Sequence, residues 1–82
     1  MTQFHGLYRA TVTGTADPMK QGRVQVTVPD TGTAGEWALP CRTPGSVIAG
    51  RRFMDRVPTM GATVWVMFEA GDPARPVWLG IL

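Results

Sequence analysis

Six carboxylates, one histidine and one cysteine are the side chains most able to act on a substrate: Asp17, Asp30, Glu36, Asp55, Glu69, Asp72, His5 and Cys41. Two acids that cleave a glycosidic bond must converge from opposite walls of a cleft. Four of these six instead stand at turn signals or strand starts, where a short carboxylate bonds its own downstream backbone. Turn formation accounts for them. A Cys–His pair would activate a thiolate, but His5 precedes the first strand pattern, away from Cys41. Cys41 falls on an apolar strand parity, where a lone thiol behaves as a small hydrophobe. No Gly-x-Ser-x-Gly elbow occurs, and "TGTAG" lacks the Lys-Ser/Thr of a phosphate loop. One Cys and one His cannot supply the four ligands of a structural zinc. The expectation is a protein that is not an enzyme, with no catalytic residue, no cofactor and no metal.

Binding is the other chemistry to weigh. Arg9, Arg23 and Arg42 could line the outer faces of the first three strands, with Tyr8 and Trp37 beside them, as in a single-strand nucleic-acid groove. Tyr8 and Trp37, however, fall on the apolar parity and read as core. The aromatics left outside are Trp65 and Trp78, and no Lys or Arg alternates with them in sequence. No nucleic acid is therefore expected as a partner, and a single-strand-binding protein stands as the alternative reading.

The last twenty residues, "TVWVMFEAGDPARPVWLGIL", are apolar on both strand faces. Val64, Val66 and Phe68 oppose Trp65 and Met67; Val77, Leu79 and Ile81 oppose Trp78 and Leu82. A strand with one wet face alternates apolar with polar. Trp65, Met67 and Trp78 are thus expected at a protein–protein interface, where Trp and Met are enriched and charge is depleted. "RRFMDR" adds Arg51, Arg52 and Phe53 as a second expected contact, on a loop.

The elements that would position these residues are short. "GLYRATVTG" alternates Tyr8, Ala10 and Val12 against Arg9, Thr11 and Thr13, a strand with one wet face. "TADPMKQG" is a turn, with Asp17 bonding downstream backbone, Pro18 presetting φ and Gly22 tolerating a positive φ. "RVQVTV" buries Val24, Val26 and Val28, and Pro29 ends it. Residues 30–35 read as a loop of small residues. "EWALPCR" is the third strand, with Trp37, Leu39 and Cys41 on one face. Residues 43–60 keep no clean period and read as a packing or functional loop, with room for a short helix near 46–49. Strand four spans 62–69 and strand five 76–82, joined by a turn at Gly71, Asp72 and Pro73. Gly80 inside strand five marks a bulge or a close backbone approach.

Ten Gly and seven Pro punctuate the 82 residues too often for long helices. Five short strands at regular spacing predict an all-β fold, a five-stranded, partly open Greek-key barrel of the OB type, as a single domain. One domain is all this length holds, since autonomous domains centre on about 100–150 residues. A chain this short buries only roughly 60–65% of its unfolded surface, and without a disulfide or metal it gains stability by assembly. Net charge is only +2, too little for a strong field towards polyanions. "MTQFHGLYRA" shows no basic stretch followed by an apolar segment, so no signal peptide is expected. The longest apolar run, 64–68, is too short for a membrane-spanning helix. No stable membrane association is expected, and a single cysteine suits assembly in a cytoplasm.

"ADPMKQGRVQVTVP", Trp37-Ala38 and "GATVWVMFEAGDPARPVWLGIL" together resemble the N-terminal OB domain of contractile-tail spike proteins: phage baseplate spikes, baseplate assembly protein V and the VgrG proteins of type VI secretion. The resemblance rests on Asp17-Pro18, Gly22-Arg23-Val24, Gly71-Asp72-Pro73, Arg75-Pro76-Val77 and Leu79-Gly80. It spans about residues 7–81. Ala62 stands where relatives often carry an acid, and residues 43–60 match poorly. The resemblance implies a structural adaptor at the central hub or spike, a homotrimer joining the end of the tail tube to the piercing tip. Its partners would be copies of itself, a tail hub protein and a separate spike-tip protein. Its place would be a phage tail baseplate in the virion, or a cytoplasmically assembled injection particle. The whole chain, 1–82, reads as this adaptor domain, without a needle or an enzymatic domain.

Overall fold

The computed structural model describes residues 3–41 and 57–82. Arg51, Arg52 and Phe53, with Arg42, Asp55 and the expected helix near 46–49, lie outside the described residues. Five strands form: β1 (Tyr8–Gly14), β2 (Val24–Val28), β3 (Thr33–Pro40), β4 (Thr63–Phe68) and β5 (Pro76–Ile81). They close a barrel in the order β1-β2-β3-β5-β4. β1 is shared between two antiparallel partners, meeting β4 through Tyr8–Val66 and Ala10–Val64 and β2 through Thr11–Thr27 and Val12–Val26. The barrel closes where β3 runs parallel to β5, Leu39 beside Val77 and Pro40 beside Trp78. The partly open barrel expected from the sequence is thus a closed one.

Alternation explains most of the interior. Val24, Val26 and Val28 of β2 and Val64 and Val66 of β4 are fully buried, joined by Ala10 and Val12 of β1 and by Phe68. Each such valine contributes on the order of 1.5–3 kcal/mol by leaving water. The β2 parity and the β4 parity both follow the sequence pattern.

β3 does not. It begins at Thr33, inside the stretch read as loop, because a single 3-10 turn at Pro29–Thr31 and a left-handed Gly32 are enough to reverse the chain. Val26 pairs with Glu36 and Thr27 with Ala34, leaving Gly35 as an extra bulged residue at φ 76°. Ala38 then sits at zero exposure, while Trp37 turns outward, Leu39 is 44% exposed and Cys41 is exposed. The expected face of Trp37, Leu39 and Cys41 is therefore the outer one.

β5 explains why. Pro76 and Trp78 point inward, and Trp78 is only 6% exposed. A barrel interior has fixed volume and is filled by matching large side chains to small ones. The Trp78 indole shares the core with Ala38 and Ala10. An interface role for Trp78 accordingly gives way to a core role. Leu79 is a bulged residue between the Val66–Trp78 and Trp65–Gly80 pairs, so the outward parity shifts along β5. Gly80 flanks that bulge.

Candidate functional site

Two turns and one outer surface carry the side chains of interest. The β1–β2 turn is organised by Asp17, whose side chain is 5% exposed. Its carboxylate accepts from the backbone N–H of Met19 (2.9 Å), Gln21 (2.8 Å) and Arg23 (3.2 Å) and from the Arg23 guanidinium at Nη2 (2.7 Å) and Nε (3.1 Å). The Arg23 guanidinium holds the Asp17 carboxyl well below the usual carboxylate range; desolvation opposes this, and the three N–H donors add to it. The same bond raises the Arg23 pKa, despite desolvation. Pro18 follows Asp17, and Lys20 and Gly22 take the left-handed conformations that complete the reversal. Asp17 is thus a turn keystone.

The β4–β5 turn is built likewise. Asp72 accepts the Ala74 N–H at 2.9 Å, and the Asp72 carbonyl accepts the Arg75 N–H at 2.9 Å. Ala70 and Gly71 have positive φ, and Pro73 follows Asp72 on the way to β5. Arg75 pairs with Glu69 at 2.6 Å with both side chains about half exposed, so the pair adds little to stability. The N-terminal segment packs against this turn: the Phe4 N–H donates to the Gly71 carbonyl at 2.9 Å. Phe4, Tyr8 and Phe68 form an aromatic group with centroids 5.6–6.2 Å apart at one end of the barrel. His5 is exposed, and its carbonyl accepts the Tyr8 hydroxyl at 3.2 Å.

The outer surface carries the second face of the last hairpin. Register places Leu39, Val77 and Met67 in one row across β3, β5 and β4. Leu39 and Met67 are 44% and 43% exposed and the bulged Leu79 38%. Two steps along β4, Trp65 is half-buried beneath the Arg9 guanidinium, whose carbon lies 5.3 Å from the ring centroid. A cation therefore does accompany Trp65, supplied by β1 across the Arg9–Trp65 pair and invisible to a reading of β4 alone. Arg23 covers Trp37 in the same manner at 5.1 Å. Such contacts contribute about 0.5–1 kcal/mol at exposed sites.

Of the expected contact residues, Trp65 and Met67 share this outer surface and Trp78 does not. Sequence reasoning did not name Leu39, Val77 and Leu79 as contacts; the inverted parity of β3 brings Leu39 to this surface, and the inward Trp78 leaves Val77 and Leu79 on the opposite, outer face of β5. It also missed the Arg9–Trp65 and Arg23–Trp37 stacks. Their signal was the spacing of cation and indole across paired strands, which requires the register. Among the described residues no group of three or more His, Cys, Asp or Glu could hold a metal ion. Nor, among them, is any helix long and apolar enough to cross a membrane.

A closed five-stranded barrel whose first strand is shared, whose third runs parallel to its fifth, and whose described outer face carries apolar and stacked residues defines an OB-fold binding or structural domain. The model of the type VI secretion system/phage-baseplate injector OB domain matches residues 8–82. The chain belongs to that family, a structural baseplate domain rather than an enzyme family, and its place is a phage tail or related injection particle. A comparison with curated proteins returns no match.

Proposed function

We propose that this OB domain acts as an adaptor at the central hub or spike of an injection machine, joining the end of the tail tube to the piercing tip as a homotrimer. The observation that carries this reading is the apolar row Leu39–Val77–Met67, extended by Leu79, on the outside of a barrel already closed and filled. Exposed apolar side chains gathered on one surface mark contacts with other proteins. Copies of this chain and a tail hub protein are the occupants proposed, with a separate tip protein beyond. The role is mechanical: rigid contacts transmit force along the tail axis. Cryo-electron microscopy of the assembled particle tests it. Density for three copies on the axis between tube and tip is the expected result; a peripheral position or another copy number contradicts the reading.

The alternative, single-strand binding, gains one observation: Trp37 and Trp65 both lie outside the core and each is stacked by an arginine. It is disfavoured because Arg23 is ion-paired with Asp17 and so releases few counterions from a phosphate chain. Oligonucleotide binding that weakens steeply with salt would reverse that preference.

A further inference from the structure

A ring of three copies makes a demand that the apolar row alone does not meet. Two copies on a two-fold axis can match one patch against itself, whereas a closed ring of three is head-to-tail and needs two different, complementary patches. The charges flanking the row supply such a pair. Among the described residues, Arg23 is matched by Asp17 and Arg75 by Glu69, while Arg9 is exposed and has no carboxylate within salt-bridge distance.

Arg9 stands on the flank of the row formed by β4 and β1, its guanidinium over the Trp65 ring. A guanidinium stacked by its face keeps its N–H donors in the plane, as a fork that fits a carboxylate. The stack also restrains the side chain, so less rotamer freedom is lost when an acid arrives. Trp65 leads to Met67 two residues along β4, which makes cation, indole and apolar row continuous.

The other flank has the opposite sign. β5 pairs with β3 only at Leu39 and Pro40. The earlier part of β3 instead borders an open groove of about 440 Å³ shared with the β4–β5 turn, whose lining includes Thr31, Ala34, Glu36, Pro73 and Ala74 but no Lys or Arg. Glu36 lies three residues before Leu39, is exposed, and has no ion-pair partner among the described residues. Asp30 and Asp72, the chain neighbours of Thr31 and Pro73, are likewise unpaired among the described residues.

We propose that Arg9 of one copy enters this groove on the next copy and pairs with Glu36 there, setting the direction and register of a head-to-tail ring. The occupant is a second copy of this chain, selected by charge: an exposed cation on one flank of the row and an exposed acid on the other. The pairing rests on the self-assembly reading above. The apolar row supplies the buried area, and the ion pair decides which arrangement of copies forms.

Sedimentation velocity of the full chain at low and moderate salt tests this, with Arg9→Glu, Glu36→Arg, the double variant carrying both changes, and Lys20→Glu as a control at an exposed turn position. Each single reversal sets like charges against each other and is expected to weaken association at least about tenfold at low salt. Thermal melts check that each barrel is folded. The double variant restores an opposite-charge pair and is expected to associate like the wild type. Lys20→Glu is expected to change nothing, and moderate salt to narrow the gap between the single variants and the wild type. Association that either reversal leaves intact, or that the double variant fails to restore, overturns the pairing while a wild-type trimer stands. An equal loss in Lys20→Glu and Arg9→Glu overturns it too. Charge rescue in an assembly of another copy number supports the pairing and contradicts the trimer. A wild type that stays monomeric at submillimolar concentration overturns both.

Discussion

The Trp78 indole N–H donates to the Gly22 carbonyl at 3.1 Å, tying the middle of the last strand to the turn that precedes β2, 56 residues earlier. The apolar part of the ring fills the barrel and its one polar atom finds a partner, as buried indoles require. Removing the side chain with Trp78→Ala is expected to cost about 3–5 kcal/mol through lost burial and the cavity left behind. Trp78→Phe keeps most of the volume but deprives a buried carbonyl of this bond, at about 1–3 kcal/mol. Equilibrium unfolding in urea measures both, and the order Ala worse than Phe is the expected one.

Asp17 makes stability depend on acid. Its folded pKa is depressed, chiefly by Arg23, so the unfolded chain takes up a proton at higher pH than the folded one. The stabilisation is complete above the unfolded value near 4 and is lost as pH falls below it towards the folded pKa. Thermal melts are expected to fall more steeply between about pH 4 and pH 2 for the wild type than for Asp17→Asn. At neutral pH the variant melts lower, because Arg23 and the turn N–H groups lose their charged acceptor.

Gly71 and Gly80 lie in the same hairpin but answer to different constraints. Gly71 has φ +77°, and an added Cβ would come 2.7 Å from His5 Cε1. Gly80 has no positive φ and open space around it. Gly71→Ala is expected to cost about 1–2 kcal/mol for the left-handed conformation alone, plus displacement of the N-terminal segment. Gly80→Ala is expected to change stability by no more than about 1 kcal/mol, and to raise it if anything. The Tm of the two single variants, with proteolysis near residues 3–7 as a second readout, separates them.

The residues most legible in the sequence are those whose neighbours give no competing signal. Val24, Val26 and Val28 alternate with Arg23, Gln25 and Thr27, so the alternation by itself identifies their buried face. Asp17-Pro18 and Gly71-Asp72-Pro73 are legible as turns because local hydrogen bonding and φ preferences act without tertiary help. The third strand misleads because its largest apolar residue, Trp37, faces out and its smallest, Ala38, faces in. That choice is made by Trp78, which occupies the interior volume beside Ala38. A second non-local event, the bulge at Leu79, breaks the alternation of β5 and resets how Gly80 and Ile81 pair with β4. Neither is encoded within a window of one strand. The sequence pattern places Trp65 and Met67 outside the core of the last hairpin, where the structure has them, and groups Trp78 with them although it lies in the core.

A trimeric adaptor requires the outward row Leu39–Val77–Met67 to be covered by another copy of the chain. Leu39→Glu and Met67→Glu place charge on exposed positions of a folded barrel and are expected to alter monomer stability by no more than about 0.5 kcal/mol. Sedimentation velocity of the wild type and these two variants, run to submillimolar concentration, is the direct measurement. A trimer for the wild type that falls to a folded monomer in both variants is the predicted result. A wild type that stays monomeric throughout, or a trimer that both glutamates leave intact, would contradict it.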